Sequence, residues 1–118
     1  EGGVVSYSAF AGMRESVDLF LKVGMGRIEE QIVKLGDQAV AGLKSLGYSV
    51  VSHRAPDEKS GIVAFALSTE SEAESIHQAL DRKNIVISRH AATLRVAPHF
   101  YNDESDIEAF LAALRSAR

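Results

Sequence analysis

The sequence predicts an α+β fold: a small, mostly antiparallel sheet with helices packed on one face, in the order α-α-β-β-α-β-β-α. Three observations lead there. Apolar residues recur at helical spacing in four separate stretches. Short β-rich runs lie in two pairs with a single helical stretch between the pairs. At 118 residues, with 46% hydrophobic and 25% charged residues, the chain has the size and composition of one folded domain.

The elements follow in order. Residues 8–23 carry Met13, Val17, Phe20 and Leu21 at helical spacing, and the Gly24-Met25-Gly26 stretch interrupts this first helix. Ile28, Ile32, Leu35, Ala39, Leu43 and Leu46 then mark an amphipathic helix that Gly47 ends. Residues 48–52 and 61–67 read as strands around a polar turn containing Pro56. Thr69 and Glu72 have the spacing of a capping box, ahead of a helix that runs to about residue 83. Residues 85–87 and 94–96 read as two short strands. Asn102 and Asp103 open a last helix with Ile107, Phe110, Leu111 and Leu114 on its apolar face.

Composition excludes several classes of function. The absence of cysteine removes a disulfide scaffold, a thiolate metal site and a cysteine nucleophile, and fits a reducing, cytoplasmic compartment. With 16 acidic against 13 basic residues and no basic stripe, nucleic acid is not an expected partner. No apolar run approaches the ~20 residues that span a bilayer, so no membrane partner is expected.

Few residues carry a chemical signal. Gly24 and Gly26 follow a helix, not a strand, and Glu29 stands where a dinucleotide loop needs its third glycine. His53, His77, His90 and His99 show no metal-ligand spacing, and His77 sits beside an apolar helix stripe as a structural histidine would. No Gly-x-Ser-x-Gly elbow marks a nucleophile. The dense polar stretch is 88–102, with Arg89, His90, Arg95 and His99. Alternation sends Arg95 to the opposite sheet face from Leu94 and Val96. A guanidinium there is a bidentate clamp for a carboxylate or phosphate, or a solvated strand arginine. Spacing alone leaves both open.

The run Leu94-Arg95-Val96-Ala97-Pro98-His99-Phe100-Tyr101-Asn102, continued by Asp106-Ile107 and Phe110-Leu111, resembles the C-terminal segment of the class V aminotransferases. Glu1-Gly2-Gly3-Val4 is similar to that family's opening Phe-Glu-x-Gly-Thr loop. Arg27-Ile28-Glu29 and Ser60-Gly61-Ile62-Val63-Ala64-Phe65 match further positions in collinear order.

The resemblance implies a pyridoxal-phosphate-dependent, fold-type I enzyme acting on an amino acid, as a transaminase, epimerase or lyase. It implies that this chain is the last third of that enzyme. Residues 1–24 would be a loop and helix bridging from an upstream large cofactor domain. Residues 25–118 would be the small C-terminal domain, and the whole would be a homodimer. Arg95 aligns with the arginine that holds the substrate α-carboxylate. Gly3 and Val4 align with the loop that reaches the cofactor phosphate, where Val4 replaces a threonine and lacks its hydroxyl. The Schiff-base lysine lies upstream in the family, so this chain alone is expected neither to bind pyridoxal phosphate tightly nor to turn over substrate. Cysteine desulfurases carry a cysteine between the strands at 85–88 and 94–96. Here that connection is short and the chain has no cysteine, so the resemblance points to another subfamily. Two rival readings remain: a stand-alone α+β module binding a carboxylate metabolite through Arg95, and a structural domain of a non-catalytic homologue.

Overall fold

Helical and strand periodicities alternate along the chain as expected, and the computed structural model, which describes residues 6–117, resolves them into four helices and four strands. The elements are α1 (Tyr7–Val23), α2 (Met25–Ser45), β1 (Ser49–Val50), β2 (Val63–Ala66), α3 (Glu70–Asp81), β3 (Ser88–His90), β4 (Thr93–Val96) and α4 (Glu104–Ser116). The sheet is antiparallel throughout, in the order β1-β2-β4-β3. Helices α2, α3 and α4 cover one face. The expected α+β fold and element order are both found.

Pairing register sorts the side chains. Val63 lies opposite Val96, and Phe65 opposite Leu94, which puts all four on the helix side. There they join Leu43, Tyr48, Ile76, Leu80, Phe110 and Leu114 in the main core. The rings of Tyr48, Phe65 and Phe110 form an edge-to-face chain, with centroids 5.3 and 6.3 Å apart. A smaller cluster of Leu35, Ala39 and Ile107 joins α2 to α4.

Helix ends are built from local chemistry. Gly24 alone separates α1 from α2, at φ 92°, and Met25 already lies in α2. The expected three-residue interruption is therefore a single residue, because only Gly24 has to leave helical geometry. Gly47 (φ 81°) and Asn84 (φ 58°) end α2 and α3, with Tyr48 N–H donating to Leu43 O and Ile85 N–H to Leu80 O, both at 3.0 Å. Thr69 accepts from Glu72 N–H at 3.1 Å, but the Glu72 carboxylate accepts from Ser68 N–H at 3.0 Å and not from Thr69, so the expected capping box is offset by one residue. Asp103 and Asp106 form a complete box on α4.

Two expected strands differ. Residues 85–87 make no ladder, and β3 begins at Ser88. The alternation is real, since Ile85 and Ile87 pack on the core while Val86 is 86% exposed. Their backbone is committed to α3 instead: Ile85 N–H caps the helix, and His77 Nε2 lies 3.0 Å from Ile87 O. This also gives His77 the structural role expected of it. β1 is shorter than 48–52 because the Ser52 hydroxyl takes the Ala64 N–H, at 2.7 Å, that a backbone carbonyl would otherwise accept.

The loop 53–61 is tied to α2 by charge. Asp37 accepts from Arg54 Nη2 at 2.6 Å and Lys59 Nζ at 2.7 Å, and Arg54 Nη1 donates to Ser60 O at 2.7 Å. Helix α1 differs from the rest. None of its residues is buried, and Phe10, Met13 and Val17 are exposed. Phe20 is half-buried, packed against His99 and Phe100 at 5.9 and 5.8 Å. No helix among the described residues is long and apolar enough to cross a membrane.

Two predictions follow from this packing. A Cβ at Gly42 would sit 2.2 Å from Leu111 Cδ1 and 2.9 Å from its Cγ, so rotation of the side chain tip does not clear it. Gly42→Ala should gain ~1 kcal/mol of helix propensity and lose ~1–3 to overpacking, a net loss of ~1 kcal/mol in denaturant unfolding. In a Leu111→Ala background the same change should become stabilising. Second, hydrogen bonds from Lys59 and Arg54 hold the Asp37 carboxyl below the usual carboxylate range. A depressed folded-state pKa contributes stability above the unfolded value and loses it as pH falls. Unfolding midpoints should therefore drop below pH ~4, and Asp37→Asn should flatten that part of the profile.

Candidate functional site: the open face of the sheet

The face of the sheet away from the helices is set by the same register. Arg95 lies between Ala64 on β2 and Ser88 on β3. Thr93 lies between Ala66 and His90, and Ser49 pairs with Ala66 at the far side. Ser88, His90 and Arg95 are exposed, while Ala64, Ala66 and Thr93 are half-buried. This face carries one guanidinium, one imidazole, hydroxyls and two methyl groups. It carries no carboxylate among its strand residues.

The arginines of the β3–β4 hairpin have opposite fates. Arg89 lies opposite Leu94 and so points to the helix side, where its Nη2 meets Glu74 of α3 at 2.6 Å. It is a brace between sheet and helix. Arg95 is on the other face, and among the described residues its guanidinium makes no hydrogen bond or ion pair. Elsewhere the cations Arg54, Lys34 and Lys59 are all paired with carboxylates. A solvent-facing guanidinium flanked by alanine and serine retains its whole donor fork for an incoming carboxylate.

His99 belongs to a different cluster. Its ring stacks on Tyr101 at 4.9 Å and on Phe20 at 5.9 Å, and its Nδ1 is buried without a hydrogen-bond partner among the described residues. The segment after β4 is a closed turn: Asn102 N–H donates to His99 O, and Asn102 Oδ1 accepts from His99 N–H, both at 3.0 Å. Asn102 Nδ2 reaches Asp106 at 3.0 Å, and Gln31 of α2 donates to Asn102 O at 3.1 Å. Arg95 is thus held from below by its ladder and from its C-terminal side by this turn.

Sequence reasoning placed Arg95 correctly on the open face and grouped Arg89, His90 and His99 by adjacency. The structure keeps only His90 beside it, and adds Ser88 and Thr93. The signal for these was the alternation carried back across the two-residue turn at Ala91 and Ala92. Gly3 and Val4 lie outside the described residues.

No lysine stands on the open face: Lys34, Lys59 and Lys83 are engaged by Glu104, Asp37 and Ser116, and Lys22 and Lys44 are on helix surfaces. These residues do not fit a Schiff-base site, and they do fit a carboxylate anchor. A cleft of about 220 Å³ between residues 84–87 and α4 lies on the helix side of β4, and Arg95 does not line it. No group of three or more potential metal ligands occurs among the described residues.

Residues 1–110 match the family described as aminotransferase class-V, and the chain belongs to that family. Its members depend on pyridoxal phosphate. A protein named probable cysteine desulfurase from Xylella fastidiosa (strain 9a5c) is 27% identical over 131 residues, spanning 100% of this chain and 31% of that protein. The apo structure of cysteine desulfurase from Thermococcus onnurineus NA1 superposes with a TM-score of 0.87 at 22% identity, over 98% of this chain and 32% of that one. The cystine C-S lyase C-DES, in complex with its product cysteine persulfide, gives 0.82 at 22% identity, over 98% and 31%. These superpositions establish the fold. The chain spans about a third of the length of the relatives it matches. Two of them carry the cysteine desulfurase name, so the matches do not set this chain apart from that subfamily.

The hairpin that carries the face holds Ala91 at φ 50°, a left-handed conformation that costs an alanine ~1–2 kcal/mol. Ala91→Gly should relieve it against a smaller entropic loss in the unfolded chain. The net expectation is a gain of ~0.5–1 kcal/mol, measured by thermal unfolding.

Proposed function

We propose that this chain is the C-terminal domain of a pyridoxal-phosphate-dependent enzyme acting on an amino acid, and that Arg95 anchors the substrate α-carboxylate. The observation that carries the reading is an unpaired guanidinium on a sheet face with no carboxylate of its own, within a class V aminotransferase chain. Residues 25–118 are the small domain. Residues 1–24 bridge to an upstream cofactor domain, and the exposed apolar side chains of α1 are the surface that this domain covers. The upstream part supplies the lysine and most of the cofactor site. Gly3 and Val4 contribute backbone donors to the cofactor phosphate, and the homodimer completes the site.

In this scheme the cofactor, when bound, supplies the electron sink for chemistry at Cα. The work of this chain is positional. Two parallel N–H donors from Arg95 fix the plane of the carboxylate. With that end held, rotation about the bond to Cα decides which substituent is presented for reaction. The small Ala64 and Ala66 leave the approach to Arg95 clear. The ladder on both sides keeps the strand from yielding when the substrate loads it.

The absence of cysteine and the two-residue β3–β4 turn favour transamination, epimerisation or elimination over sulfur transfer through a protein persulfide. A turn of two residues has no length in which to present a nucleophile.

The test is Arg95→Lys and Arg95→Gln in the longer enzyme. Losing a bidentate charged contact should raise KM about tenfold to a hundredfold, with unfolding midpoints unchanged. Unchanged kcat and KM in both variants would overturn the assignment.

A further inference from the structure

We infer that His99 is a positioning residue: its ring is the clasp that fixes the bridging helix α1, and with it the cofactor domain, relative to the strand that carries Arg95. This rests on the proposed roles of α1 and Arg95, and adds what holds the two in mutual alignment.

The joint between α1 and α2 does not set their angle by itself. Gly24 is the single residue between the two helices, at φ 92° and ψ 122°, and a Cβ added there would meet nothing within 4 Å. A glycine with open space around it is a swivel. Another contact must define where α1 lies. No residue of α1 is buried, and its ring contacts with the rest of the chain, among the described residues, are those of Phe20. Phe20 stacks on His99 at 5.9 Å, 30° from parallel, and meets Phe100 edge to face at 5.8 Å.

His99 carries the stacked part of this cluster. Its ring also stacks on Tyr101 at 4.9 Å and meets Phe100 at 5.0 Å, edge-on. Its Nδ1 is buried without a hydrogen-bond partner among the described residues. The ring's contribution here is therefore its faces and not that nitrogen. A phenyl ring of similar shape would do the same work and leave no polar atom unmatched.

Behind the clasp the backbone is stiff. Val96 follows Arg95 and is buried opposite Val63. Pro98 is buried, and its own ring fixes its φ. The His99 N–H and C=O are both bonded to Asn102, each at 3.0 Å. A displacement of α1 is thus passed through His99 to the Arg95 strand with little slack.

Both halves of the clasp lie in this chain, so the first arm of the test needs no substrate. In the 118-residue protein, ¹⁵N relaxation reads the order of the α1 amides. His99→Ala and Phe20→Ala should each lower the order parameters of Tyr7–Val23. The double variant should add nothing to either. His99→Phe, which keeps the stack, should leave them unchanged. The second arm is kinetic, in the longer enzyme, where a loosened α1 misaligns a substrate that Arg95 still holds. His99→Ala should lower kcat about tenfold and leave KM within about twofold, because small misplacements of reacting atoms are costly to the chemical step. Arg95→Gln instead raises KM, and His99→Phe should restore kcat. An α1 that stays ordered in His99→Ala, or an unchanged kcat, overturns the inference. So does a loss of kcat that His99→Phe does not restore, which assigns the work to the nitrogen. So does a raised KM with kcat intact, which places His99 in the carboxylate anchor itself. If Arg95→Gln leaves KM unchanged, the anchor assignment fails and takes the positioning role with it; loosening of α1 in His99→Ala tells that failure from failure of the clasp.

Discussion

The pairing register of β2 with β4 is the constraint on which the rest depends. It places Val63, Phe65, Leu94 and Val96 toward the helices and Ala64, Ala66, Thr93 and Arg95 away from them. A slip of one residue would exchange the two sets. It would bury an unpaired guanidinium, at a cost far above any packing gain. The core thus specifies the open face as firmly as it specifies itself.

The second support is the junction of α2, α4 and the turn after β4. Asn102 bonds back to His99, forward to Asp106 and receives Gln31 from α2. Lys34 and Gln38 reach Glu104 at the start of α4. The polar residues of the family-like 98–106 run therefore act as fasteners. They lock the strand that bears Arg95 to the helix layer. A motif that reads as functional in sequence is, residue by residue, mostly structural. Arg95 differs from them in that its side chain makes no such bond among the described residues.

Much of this was legible in the sequence. The stripe of Ile28, Leu35, Ala39 and Leu43 is buried as its period requires, and the alternation around Arg95 gave its face correctly. What failed was local competition for backbone groups. Residues 85–87 alternate like a strand, but His77 and the α3 terminus hold their backbone. With the strand misplaced, the alternation could not be continued to His90 and Ser88. Nor could spacing separate Arg89 from Arg95, because the ion pair that distinguishes them comes from Glu74, on an element that meets the hairpin only in three dimensions.

The two-residue turn at Ala91 has a consequence for how the face is assembled. Closing a loop costs chain entropy that grows with its length. β3 and β4 are joined by the shortest connection in the sheet, whereas β2 must reach β4 across the whole of α3. Arg95 and His90 therefore sit on the pair of strands that can meet with the least loss of chain freedom. Their spacing depends on local contacts more than on distant ones. A partially unfolded molecule, frayed at β1 or α1, would still hold these two groups in their mutual geometry.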